Sequence, residues 1–265
     1  MRKAIIAAAL TAALASSATL QAQPRAGAER PTIVLVHGAF AESSSWNGVV
    51  AHLQRRGYPV VAVANPLRGV ASDAAYLRTM LGSLSGDVVL VGHSYGGAMI
   101  TGAGAGAAAR NVRALVYVAG FAPDTGESAG SISARFPEGT LGPALAPPVP
   151  LAGGGKDLYI LPARYWAQFA ADVPEADAAI MAATQRPVTE AALAEPLAGA
   201  PAWRTVPSWF IYGALDRNIP RSAQAFMASR ARSRGTVEVP GASHVVMISH
   251  ARAVADMIDR AASAR

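Results

Sequence analysis

The chain has 265 residues, no cysteine, and 23 Lys and Arg against 17 Asp and Glu, giving a formal net charge of +6. These numbers exclude a disulfide-stapled fold and a cysteine-anchored lipoprotein. The positive charge is almost all arginine, with only Lys3 and Lys156 as lysines, and it is scattered, so no basic stripe interleaved with aromatics supports nucleic-acid binding. The densest group, Arg230, Arg232 and Arg234, reads as a solvated helix end. At the N-terminus, Arg2 and Lys3 precede an uncharged apolar run from Ala4 to Ala15, and the small Ala22 stands before Gln23 and Pro24. This is the pattern of a secretory signal peptide over residues 1–22. The expected product is a soluble periplasmic or secreted protein of 243 of the 265 residues, with net charge +4. The apolar run is too short for a membrane anchor, and no other uncharged stretch approaches a spanning length.

Several short, β-branched runs then alternate with alanine-rich helical segments. Strands are expected at Thr32–Val36, Val60–Val63, Val88–Val91, Ala114–Val118, Trp209–Tyr212 and Thr236–Val239. These runs are continuously apolar, as in parallel strands covered on both faces. Helices are expected near Trp46–Arg56, Ser72–Leu84, Gly97–Ala109, Arg221–Ala231 and His250–Ala262. Such a βαβ progression predicts an open, doubly wound, mainly parallel α/β sheet of about six strands. Only about nine residues separate the cleavage site from the first strand, so no extra antiparallel strands are expected at that end.

Between Ala119 and Val206 the rhythm breaks. That segment holds Pro143, Pro147, Pro148, Pro150 and Gly153 to Gly155, then helical stretches near Ala163–Ala171, Glu175–Ala183 and Thr189–Leu193, with no clear strand. A connection this long inside a compact domain is usually functional. The expectation is a cap over residues 123–185, inserted before the penultimate strand and lying over the carboxyl ends of the strands, where open α/β sheets bind ligands. Residues 23–122 and 186–265 then form the core domain.

The most specific motif is Gly92-His93-Ser94-Tyr95-Gly96, set between the apolar run Val88–Val91 and the small-residue stretch from Gly97. A strand, a tight turn carrying one serine and then a helix is the context of a nucleophile elbow. A serine needs a base, and the base needs an orienting acid. In hydrolases built on such sheets the chain order is Ser, then Asp or Glu, then His. Only His244 and His250 follow Ser94. His244 lies in a loop just after the last strand, at the sheet's carboxyl edge, and is the expected base; His250 falls in the following helix. His52 reads as an exposed helix position and His93 as a packing residue directed away from the site. Asp216, in a short loop off the penultimate strand, is the expected acid, with Asp124 as its competitor. Backbone N–H groups of Tyr95 and Ala39 are the expected oxyanion donors, with Phe40 as the alternative to Ala39. His37 should brace that loop through a structural hydrogen bond, and Ser43 to Ser45 should cap the first helix. The five histidines are dispersed, so no metal site is expected.

The segments His37-Gly38-Ala39, Gly92 to Gly97, Phe121-Ala122-Pro123-Asp124, Asp216-Arg217-Asn218-Ile219-Pro220 and Gly241-Ala242-Ser243-His244 occur in this order. The sequence resembles the α/β-hydrolase branch containing plant methylesterases and hydroxynitrile lyases, over nearly the whole chain after residue 22 and least from about 127 to 185. The resemblance implies a six-stranded parallel sheet, a helical cap and cofactor-free hydrolysis of small hydrophobic esters. The lyases of that branch look to need a hydroxyl residue where this chain has Gly38 and a lysine where it has Val245, which disfavours cyanohydrin cleavage. Dehalogenases of this fold carry aspartate where this chain has Ser94.

The expected activity is that of an exported serine hydrolase acting on small to medium hydrophobic carboxylic esters. The expected substrate pocket lies under the cap, among Phe40, Tyr95, Tyr159, Tyr165, Trp166 and Phe169. Perhydrolysis, or hydrolysis of amides, lactones or carbon–carbon bonds, remains open at the same triad. A ligand-binding homologue with an idle triad is the non-enzymatic alternative.

Overall fold

The computed structural model describes residues 30–106 and 109–264, so the expected signal peptide lies outside the described residues. Strands β1 (Thr32–Val36), β2 (Val60–Val63), β3 (Val88–His93) and β4 (Val112–Val118) come first. Three short strands follow, β5 (Val149–Pro150), β6 (Lys156–Leu158) and β7 (Val188–Thr189), before β8 (Ser208–Gly213) and β9 (Gly235–Val239). The main sheet has six parallel strands in the order β2-β1-β3-β4-β8-β9.

The strands alternate with a period of two that their uniformly apolar sequences conceal. Ile33, Leu35, Val89, Val91, Val116 and Val118 feed an apolar cluster on one face of the sheet. Their neighbours Val34, Val36, Val88, Leu90, Leu115 and Tyr117 feed a second cluster on the other. Both faces are covered, which is why β1, β3, β4 and β8 carry few polar residues. The expectation of continuous burial fails at the edges. In β9, Thr236 and Glu238 are exposed, and most of β2 is only half-buried.

Helices α1 (Asn47–Arg55), α2 (Val70–Gly82) and α3 (Tyr95–Ala103) precede the long connection, and α8 (Arg221–Arg230), α9 (Val246–Ser249) and α10 (Ala251–Ser263) follow it. Helix α10 buries Val254, Ala255, Met257, Ile258, Ala261 and Ala262, the spacing of a single apolar stripe on an amphipathic helix. Helix α3 begins two residues before the expected Gly97 and ends at Ala103 rather than Ala109.

Between β4 and β8 the chain folds as α4 (Ala129–Ala134), β5, β6, α5 (Pro162–Phe169), α6 (Glu175–Thr184), β7 and α7 (Glu190–Ala194). The strands β5-β6-β7 make a small antiparallel sheet that the sequence did not announce, because segments of two or three residues show no period. The pairing of β7 with β6 carries this layer past residue 185. Arg186 accepts a bond from Phe40 N–H at 2.9 Å, Thr189 N–H donates to Leu67 O at 3.1 Å, and Arg68 pairs with Asp157 at 2.6 Å. Tyr165, Phe169, Ala178, Ala182, Val188 and Ala192 from this layer belong to the same apolar cluster as Ile33, Leu35 and Val91.

Candidate active site

Ser94 occupies the turn between β3 and α3 with φ 52° and ψ −124°, a conformation that ordinarily costs about 1–3 kcal/mol for a residue with a Cβ. Its surroundings enforce it. Ser94 N–H donates to Val118 O and Ala119 O at 3.3 and 3.2 Å, while Ser94 O accepts from Gly97 N–H and Phe121 N–H at 2.9 and 3.0 Å. Close approach also requires the flanking glycines. A Cβ on Gly92 would lie 2.5 Å from Gly96 O, and one on Gly96 would lie 2.4 Å from Val36 O.

His244 follows β9 through the turn at Gly241. Its Nδ1 lies 2.7 Å from Asp216 Oδ2, with both side chains fully enclosed. Asp216 Oδ1 accepts from Asn218 N–H at 2.8 Å and Ile219 N–H at 3.0 Å, so the loop after β8 fixes the carboxylate through its own backbone. A carboxylate facing Nδ1 holds the proton there and leaves Nε2 as the acceptor. Nε2 is buried and has no hydrogen-bond partner among the described residues. Ser94 and His244 line one cavity of about 230 Å³. Asp124 does not line this cavity, and its carboxylate binds Arg204 at 2.6 and 2.9 Å.

Tyr95 stands at the first position of α3, where an N–H has no partner inside the helix, and the Ala39 N–H takes no acceptor among the described residues. Both residues line the cavity. The N–H of Phe40, the alternative donor, bonds Arg186 O at 2.9 Å. Gly38 admits the close contact of the two loops, since a Cβ there would fall 2.6 Å from Ser94 Cβ.

Of the expected pocket aromatics, Phe40, Tyr95 and Phe169 line the cavity and Tyr159, Tyr165 and Trp166 do not. Tyr165 is buried behind the wall and donates its hydroxyl to Phe40 O at 2.7 Å. Trp166 is 41 % exposed and donates to Val173 O. Tyr159 is occupied at the cap's small sheet, its carbonyl accepting from Ala146 N–H. The wall is completed by residues the sequence did not single out, among them Leu141, Leu145, Leu193 and Asn218. Among the described residues, no Asp, Glu, Lys or Arg lines it.

His93 is closer to the site than expected. Its ring packs on that of His244 at 4.7 Å, and its Nε2 donates to His244 O at 3.2 Å. Full burial, reinforced by its two histidine neighbours, holds its pKa well below the ordinary value, so it stays neutral. His37 braces the neighbouring loop. Its Nε2 accepts from Asn65 N–H at 3.0 Å, Asn65 Nδ2 donates back to His37 O, and burial lowers its pKa. His52 is half-buried on α1 beside Arg55, and His250 stands at the N-cap position of α10 without a capping side-chain bond, its Nδ1 3.6 Å from Asp172. Ser43 and Ser45 do not cap a helix; their hydroxyls bind the carbonyls of Val63 and Glu42.

A six-stranded parallel sheet bearing a serine elbow, with a buried His–Asp pair at the same edge, defines a hydrolase fold. The chain belongs to the alpha/beta hydrolase family, whose sequence model matches residues 33–257. A carbendazim-hydrolysing esterase of Nocardioides is 36 % identical over 109 residues, covering 36 % of this chain and 44 % of that enzyme. The alpha/beta hydrolase nvfD of Aspergillus novofumigatus is 27 % identical over 251 residues, 88 % of this chain and 97 % of that protein. A methylesterase of Arabidopsis, MES16, shares the fold with TM-score 0.70 at 19 % identity, over 88 % of this chain and 99 % of the other.

Proposed function

We propose that the protein is an exported carboxylic ester hydrolase working through an acyl-enzyme on Ser94. The observation that carries this reading is the fully enclosed His244–Asp216 pair at 2.7 Å, whose histidine lines the same cavity as the strained serine. His244 Nε2 takes the hydroxyl proton as Ser94 Oγ attacks the ester carbonyl, and the Ala39 and Tyr95 N–H groups receive the oxyanion. His244 then passes the proton to the departing alcohol. Water, deprotonated by the same nitrogen, cleaves the acyl-enzyme and releases the acid and free Ser94. Asp216 keeps the imidazole oriented and stabilises its cation without accepting the proton. A cavity of about 230 Å³ is below the usual size of drug-binding pockets and favours compact, neutral ester groups. Export rests on the basic, apolar and small-residue pattern of residues 1–22.

The test is hydrolysis of p-nitrophenyl acetate, butyrate, octanoate and palmitate by the protein from residue 23, with Ser94→Ala in parallel. Turnover that peaks at short or medium chains and falls by on the order of 10⁴ or more in Ser94→Ala is the expected result. Equal activity in the variant, or none at any chain length, overturns the reading. Peracid formation from acetate and hydrogen peroxide that exceeds ester hydrolysis would shift it to perhydrolysis.

A further inference from the structure

One polar group on the cavity wall is left over by the proposed chemistry. Asn218 sits two residues after Asp216, is 6 % exposed and lines the cavity. Its backbone N–H serves Asp216, but its side chain takes no part in that bond. The side-chain amide is locked in one orientation by a relay. Thr140 Oγ1 donates to Gln168 Oε1 at 3.0 Å, which leaves Gln168 Nε2 to donate to Asn218 Oδ1 at 2.8 Å and to Arg217 O at 3.1 Å. Flipping either amide would set donor against donor or acceptor against acceptor. The Asn218 NH₂ therefore cannot exchange places with its oxygen, and Nδ2 is buried with no acceptor among the described residues. An unsatisfied buried donor is unfavourable unless something else meets it. The hydroxyls of Ser94, Tyr95 and Ser133, which line the same cavity, make no bond to Asn218 Nδ2.

We propose that Asn218 Nδ2 is a substrate-recognition donor. The chemistry it selects is an ester carrying a second acceptor oxygen, an ether or carbonyl remote from the scissile bond, in preference to the plain alkyl analogue. This substrate assignment rests on the serine-hydrolase reading; the donor role can be tested without it. Sites built to donate to a ligand discriminate strongly against analogues that lack the acceptor.

Isosteric pairs supply the test. On the acyl side these are p-nitrophenyl methoxyacetate against butyrate and 3-methoxypropanoate against pentanoate. On the alcohol side the pair is 2-methoxyethyl butyrate against butyl butyrate. The readout is the ether-to-alkyl ratio of kcat/KM in the wild type, Asn218→Leu and Asn218→Ala, a ratio that cancels any loss of folded enzyme. The expected result is a wild-type preference for the ether member of at least one pair, reduced about 5- to 10-fold in both variants, the worth of one neutral hydrogen bond. Gln168→Leu, which frees the amide to turn, should reduce it less. Ratios unchanged by Asn218→Leu and Asn218→Ala in every pair overturn the proposal. The same esters are titrated calorimetrically into Ser94→Ala with and without Asn218→Leu. A shift in the Kd ratio supports the donor even if the wild type turns nothing over, and an unchanged Kd ratio sinks it. Absent wild-type turnover alone sinks only the hydrolase reading.

Discussion

At Ser94, backbone strain and chemistry meet in one residue. The positive φ costs free energy that the bonds to Val118, Ala119, Gly97 and Phe121 offset, so the turn holds only while its neighbours leave it space. Gly96→Ala, placing a Cβ 2.4 Å from Val36 O, should cost about 3 kcal/mol and lower Tm by roughly 6–12 °C. A thermal melt of the two proteins checks this, and an unchanged Tm would mean that the elbow relaxes freely. For the acid, Asp216→Asn removes the partner that fixes the His244 tautomer while keeping the side chain's size. We expect kcat to fall on the order of 10⁴ with little change in KM, whereas Asp124→Asn should stay within about twofold of wild type. Steady-state kinetics on one ester decides between them. Ser94, His244 and Asp216 were legible because chain order and strand ends constrain them. Asn218 and His93 were not, since what matters about them is which atoms are left unpaired or stacked after folding, and no spacing encodes that.

Among the elements, α8 and the loop after β4 are held by a cluster of charges. Arg230 on α8 pairs with Glu127 at 2.7 Å, Arg135 just past the end of α4 reaches the same carboxylate at 3.0 Å, and Asp124 N–H donates to it. Burial alone would raise the pKa of Glu127, but the hydrogen bond from Arg230 and the other partners outweigh it and the net shift is downward from 4.5. A carboxylate with a depressed folded-state pKa contributes stability above its unfolded value and loses it as pH falls through the folded value. Glu127→Gln should therefore lower Tm at pH 7 and give a shallower loss of Tm than wild type below about pH 4.5. Melting curves of both proteins from pH 7 to pH 3 test this, and parallel curves would remove Glu127 from the acid sensitivity. The main-sheet strands were readable to within two residues at either end because each is a short run rich in apolar, β-branched or aromatic residues. Those of the cap were not. Val149–Pro150 and Val188–Thr189 become strands only because Lys156–Leu158 lies between them, a fact of tertiary pairing.

For the whole molecule, the two faces of the sheet have different fates. One carries a cluster closed by α2, α3 and α8, and the other a cluster shared between α1, α10 and the layer above the site. Phe210 is wholly buried in the first, stacked on Tyr117 at 4.6 Å. Phe210→Ala should cost about 3–5 kcal/mol, seen as a drop in the denaturation midpoint with little change in m-value. The membership of both clusters was hidden from the sequence because it joins segments more than a hundred residues apart, such as Val34 and Phe210 in the first or Leu35 and Phe169 in the second. The continuity of the second has a consequence for how the protein fails. Phe169 touches the His244 ring at 5.0 Å while belonging to the same apolar mass as the central strands, so the roof of the site has no core of its own to retain or lose. Roof and sheet then melt as one cooperative unit. Heat inactivation should follow the global unfolding curve, with no temperature window in which the domain stays folded and the enzyme is silent.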